Sequence, residues 1–100
     1  MKNKKARIMN TYTVDKALYK KVAHMAIDEE CDIADIYEKL IEKAEQYVED
    51  GGTVDNIEMK EKCVKTLRLS QEHINMLKNI SSQSNFFAGE ILNFAVYKFL

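Results

Sequence analysis

The chain has 100 residues, 46% hydrophobic and 31% charged, with a net charge of −1. That suits one soluble globular domain, and no apolar run approaches the roughly 20 residues of a membrane helix. The cysteines, Cys31 and Cys63, lie at no metal-ligand spacing, so neither a metal site nor a disulfide framework is expected.

Residues 1–7 read as a basic N-terminal arm carrying Lys2, Lys4, Lys5 and Arg7. No signal-like apolar segment follows them, and a cytoplasmic location is expected. From Ile8 to Val14 the chain alternates with period 2, the mark of a strand. Ile8, Asn10, Tyr12 and Val14 should share one face, and Met9, Thr11 and Thr13 the other. Asp15 suits a helix N-cap, and Leu18, Tyr19, Val22, Met25 and Ala26 then follow helical spacing. Asp28-Glu29-Glu30 ends that helix. Asp32 can cap the next, whose apolar positions are Ile33, Ile36, Tyr37, Leu40, Ile41 and Ala44. Cys31 should be a buried thiol.

Glu49-Asp50-Gly51-Gly52 opens an acidic, glycine-bearing connector over residues 49–61, because paired glycines break helices and accept positive φ. Alternation returns from Cys63 to Leu69. Lys65, Leu67 and Leu69 should share one face, and Val64, Thr66 and Arg68 the other. Ser70 can cap a helix containing Ile74, Leu77 and Ile80. Asn85 suits a left-handed turn, and a last helix uses Phe86, Ile91, Leu92, Ala95, Val96 and Phe99.

The two halves are copies at a fixed offset of fifty-five residues, with no gap. Thr11, Tyr12 and Val14 match Thr66, Leu67 and Leu69. Val22 matches Leu77, and Ile36, Tyr37, Leu40 and Ile41 match Ile91, Leu92, Ala95 and Val96. Such a repeat governs the whole reading. Each half is too short for a good core, and a lone strand is not stable. The expected fold is mainly α with a two-stranded antiparallel ribbon, the copies at 8–48 and 62–100 forming one structural domain.

Charge follows this division. Residues 1–27 are net +6, residues 28–62 net −9 and residues 63–100 net +2. The basic ends point mildly to a polyanion, and the acidic stretch reads as a solvated helix face. His24 and His73 have no ligand at metal spacing and should be surface residues. Neither a Ser/His/Asp set nor a phosphate loop is visible, so no catalytic residue, enzyme activity or cofactor is expected.

The pattern Thr66-Leu67-Arg68-Leu69-Ser70, then Ile74, Leu77 and Ile80, then Asn85 and the last apolar helix, resembles the ribbon-helix-helix family of DNA-binding proteins, the MetJ, Arc and CopG group. The first copy keeps the same register through Thr11, Thr13, Val14, Asp15, Tyr19, Val22, Met25, Ile36, Tyr37, Leu40 and Ile41. The tandem arrangement resembles that of conjugation accessory proteins of the TraY type. Family members dimerise to build a ribbon, so this resemblance implies a tandem ribbon-helix-helix, an intramolecular pseudo-dimer.

It further implies double-stranded DNA as the partner, read in the major groove by Met9, Thr11, Thr13, Val64, Thr66 and Arg68. Arg68 can grip guanine with two hydrogen bonds. The bland alternative is the exposed face of an ordinary small sheet, where Thr is common on propensity alone. Backbone contacts are expected from Lys2, Lys4, Lys5, Arg7, Lys65, Ser84 and Asn85. A solubilising tail is the equal alternative for the arm. Family members often hold a phosphate at the second helix's N-terminus. Here Asp32 and Phe87 stand at those positions, so asymmetric anchoring is expected, stronger through the second copy.

A small transcriptional repressor is the simplest role. An accessory protein at a conjugative origin of transfer, or a protein-interaction or antitoxin module, are the alternatives. Antitoxins of this family append a flexible tail; none is expected, since Phe99-Leu100 falls inside the last helical pattern. Self-association on DNA and a protein partner remain open.

Overall fold

A computed structural model describes residues 6–100. Lys2, Lys4 and Lys5 lie outside the described residues. The elements are β1 (Arg7–Asp15), α1 (Lys16–Asp28), α2 (Ile33–Glu49), β2 (Lys62–Ser70), α3 (Gln71–Ser84) and α4 (Ala88–Phe99). β1 and β2 form one antiparallel sheet, with Arg7 opposite Ser70, Thr11 opposite Thr66 and Asp15 opposite Lys62. The expected mostly helical fold with a two-stranded antiparallel ribbon is therefore present.

One core serves both halves. It joins Val14, Val22, Ile36, Tyr37 and Ile41 to Leu69, Leu77, Ile80, Leu92 and Phe94. The Cα radius of gyration, 12.8 Å, matches the roughly 13 Å of a single packed unit of this length. On the inner face of the ribbon, Val14, Leu67 and Leu69 are buried and Tyr12 half-buried, while Asn10 is exposed. Ile8 is 40% exposed. Alternation assigned Ile8 and Asn10 to this face correctly, but the helices do not cover the start of β1.

Residues fifty-five apart take equivalent roles. Asp15 accepts the Leu18 N–H at 3.3 Å, and Ser70 accepts the His73 N–H at 3.2 Å. Each cap is worth about 1 kcal/mol. Asp35 accepts the Asp32 N–H at 3.0 Å, and Glu90 accepts the Phe87 N–H at 2.8 Å. Among the described residues, the non-glycine positions with positive φ are Glu30 (53°) and Asn85 (63°). Both sit in the turn between the helices of their half.

The strongest ties run between halves. Glu38 of α2 accepts the Ser70 N–H at 2.9 Å. Asn93 of α4 accepts the Asp15 N–H at 3.0 Å. Each second helix thus holds the N–H that ends the other half's strand. Helical spacing carries no information about such a contact.

The connector is pinned to the core. Val54 is buried in the core, and Ile57 packs against it. The N–H groups of Lys60 and Glu61 donate to Asp15 Oδ1 at 2.9 and 3.1 Å. Gly51 has φ +95°, while a Cβ on Gly52 would run into the Tyr47 ring. The glycine pair therefore serves one turn and one close approach.

Candidate functional site

The ribbon's outer face assembles six side chains in three cross-strand pairs. Met9 lies opposite Arg68, Thr11 opposite Thr66 and Thr13 opposite Val64. All six are exposed, including Met9 at 55% and Val64 at 66%. Two apolar side chains on a solvated sheet face offer methyl contacts that water does not reward. The threonines offer donors and acceptors, and Arg68 a planar fork of donors.

The middle pair, Thr11 and Thr66, matches itself across the repeat, so the strand register is centred on the same point as the sequence copies. Met9 corresponds to Val64 and Thr13 to Arg68. Each end of the ribbon therefore carries one apolar and one polar side chain.

Two grooves flank the ribbon. The larger, about 1150 Å³, runs along β1 between the connector, the middle and end of α3 and the start of α4; Tyr12, Ile57, Lys62, Lys78, Ser81 and Phe87 line it. Gly89, at its edge, lies so close to β1 that a Cβ would collide with the Thr13 carbonyl oxygen. The smaller groove, about 810 Å³, runs along β2 and is lined by Asp32, Glu38, Glu42, Glu72, Arg7 and His73. The grooves occupy corresponding places, one at the start of α4 and one at the start of α2, but their charge differs sharply.

Arg7 sits inside the acidic groove. Its guanidinium donates to Asp35 at 2.5 Å and Glu38 at 3.0 Å, and reaches Asp32 at 3.5 Å. Hydrogen bonds to Asp35 and Glu38 raise its pKa, against burial. Lys65, on the inner face, lies 4.7 Å over the Tyr19 ring. Ser84 donates to the Ile80 carbonyl at 2.7 Å, at the end of α3. Asn85 is exposed in its left-handed turn. Of the backbone-contact candidates that are described, Arg7, Lys65 and Ser84 thus each have a partner within the fold.

His73 corrects an expectation. It is buried, at 6% exposure, not on the surface; His24 is exposed. The His73 Nε2 lies 2.7 Å from Glu42 and its Nδ1 2.5 Å from Ser70 Oγ. Glu38 approaches to 3.6 Å. The repeat held the missing signal, since His73 matches Leu18, an apolar position. Ser70 is itself 3% exposed and engaged as a helix cap, so the Ser70–His73–Glu42 line braces α3 against α2. Cys31, expected buried, is half-buried, as is Cys63; both are free thiols.

Asp15 is the buried hub of the first half. Burial pushes its carboxyl up, but N–H groups of Glu61, Leu18, Lys60 and Ala17 outweigh that and hold it below the ordinary carboxylate value. Among the described residues, no group of three His, Cys, Asp or Glu side chains is arranged to hold a metal ion. Nor is any helix there long and apolar enough to cross a membrane. Comparison with protein-family models, with curated proteins and with solved structures found no match.

Proposed function

We propose that this protein binds double-stranded DNA in the major groove through the β1–β2 ribbon, as a tandem ribbon-helix-helix module, most simply a small transcriptional repressor. The observation that carries the reading is the outer face itself. Met9, Thr11, Thr13, Val64, Thr66 and Arg68 project together from a ribbon whose other face anchors it to a helical core. Strands about 5 Å apart fit a groove about 12 Å wide with side chains to spare.

The pseudo-dimer reading draws support from the paired caps, the paired left-handed turns and the reciprocal Glu38–Ser70 and Asn93–Asp15 hydrogen bonds. Arg68 and Thr66 read bases; Arg68 supplies the sharpest discrimination, because two parallel hydrogen bonds to guanine O6 and N7 demand one geometry. Asn85, with the arm's Lys2, Lys4 and Lys5, follows the phosphates.

The test is fluorescence anisotropy with duplex from around the protein's own gene against random duplex, at low and moderate salt. Tight binding to one fragment should survive moderate salt. Arg68→Ala should weaken it by roughly 1–3 kcal/mol while leaving the melting temperature almost unchanged. Equal, salt-sensitive binding to both duplexes would reduce the interaction to nonspecific charge attraction.

A second reading rests on the carboxylates around the start of α2. Asp32, Glu38 and Glu42 face a groove where a phosphate would otherwise lie, which suits a basic protein partner. Absence of DNA binding together with co-purification of a small basic protein would favour it.

A further inference from the structure

We propose that the DNA site is directional, an asymmetric duplex bound in one orientation with its backbone held, apart from the arm, along the β1 flank. The inference rests on the DNA-binding reading above and adds what kind of duplex that reading requires.

Two independent asymmetries break the ribbon's two-fold. The first lies along it. One end presents Met9 beside Arg68, and the other presents Val64 beside Thr13. Met9 and Val64 are equivalent and both apolar. Arg68 and Thr13 are equivalent but chemically unlike. A guanidinium makes two parallel hydrogen bonds to a guanine edge. A threonine makes one, and its methyl suits a thymine. A guanine is therefore favoured at the Arg68 end and not at the position related to it by symmetry.

The second asymmetry lies across the ribbon. On the β1 side, the groove is lined by Lys62, Lys78, Ser81 and Ser82 along with Glu58 and Glu90. Glu90 is turned onto the Phe87 N–H at the helix start. On the β2 side, Asp32, Glu38 and Glu42 line the groove with Arg68 at its ribbon edge and His73, which Glu42 engages. Its Arg7 is already held by Asp35 and Glu38, and the Asp32 side chain is 63% exposed at the start of α2. The two edges of the major groove are lined by phosphates of both strands, so the ribbon meets one backbone on each side. The β2 side repels a phosphate where the β1 side tolerates or attracts one. The first asymmetry cannot be met by a palindrome; the second falls on whichever backbone lies along β2, whatever the base sequence.

Selection of the full chain against a random duplex library tests this. Enrichment of one non-palindromic sequence is expected. The palindrome that doubles the thymine half should bind at least roughly ten-fold more weakly than the selected site, since it removes the Arg68 partner; the one that doubles the guanine half should also bind more weakly, since it sets a guanine against Thr13. Methylphosphonates, which neutralise phosphates, should weaken binding when placed on one flank and leave it unchanged or tighter on the other. Asp32→Ser keeps a capping residue; it should tighten binding and make the second flank sensitive to methylphosphonates. A palindromic consensus, a palindrome that binds as well as the selected site, or equal loss from both flanks overturns directionality while leaving base reading intact. Enrichment of no sequence overturns base reading itself, and directionality with it.

Discussion

Glu38→Ala is the sharpest perturbation of the fold. Glu38 is 14% exposed at its side chain and serves two partners at once. Its Oε2 accepts the N–H of Ser70, a residue 3% exposed, and its Oε1 accepts from Arg7. Removing the carboxylate leaves a buried backbone donor unsatisfied, which costs about 1–3 kcal/mol. The Arg7 pair adds little, because the guanidinium is partly solvated and keeps Asp35. The expected loss is about 1–3 kcal/mol. For a domain of this size that corresponds to a fall in melting temperature of about 4–24 °C. Glu38→Gln keeps an acceptor for the Ser70 N–H and should recover at least half of the loss. Urea unfolding followed by circular dichroism at 222 nm measures both variants. A Glu38→Ala loss below about 0.5 kcal/mol, the usual scale of a surface substitution, would refute the account of Glu38 as a tie between the halves.

Three further outcomes are expected. Gly89→Ala should destabilise by about 1–3 kcal/mol through overpacking against the Thr13 carbonyl; a gain, as helix propensity alone would give, would sink the close approach. Asp15 has a folded pKa below its unfolded value of about 3.9. Its stabilisation is therefore complete above that value and lost as pH falls through the folded value. Melting temperature against pH should drop more steeply below about pH 4 for the wild type than for Asp15→Asn, and parallel curves would count against this. Cutting between Gly51 and Gly52 should leave two fragments that co-elute in size exclusion, because the core is shared; a half that folds alone as a monomer contradicts that.

Much of this protein was legible in its sequence because period carries geometry. Alternation placed Met9, Thr11 and Thr13, and Val64, Thr66 and Arg68, on the exposed faces of their strands. Helical spacing found Val22, Ile36, Tyr37, Leu40, Ile41, Leu77 and Ile80 for the core, and the caps Asp15 and Ser70 for the helix starts. The fifty-five-residue offset marked equivalent positions; the left-handed turn at Asn85 followed from its residue type, while its counterpart at Glu30 did not.

Long-range polar contacts were not legible. Arg7 counted as a loose cation because sequence patterning does not show Asp35 and Glu38 arriving from twenty-eight and thirty-one residues away. His73 was misplaced because a polar side chain on a helix reads as solvated unless carboxylates from another helix satisfy it. The connector's composition gave its break but not its docking of Val54 or its hydrogen bonds to Asp15. Local periodicity determines which face a residue takes, since it follows from backbone geometry alone. Which charged groups meet, and so which flank of the ribbon is acidic, was decided only when the packed helices brought distant side chains together.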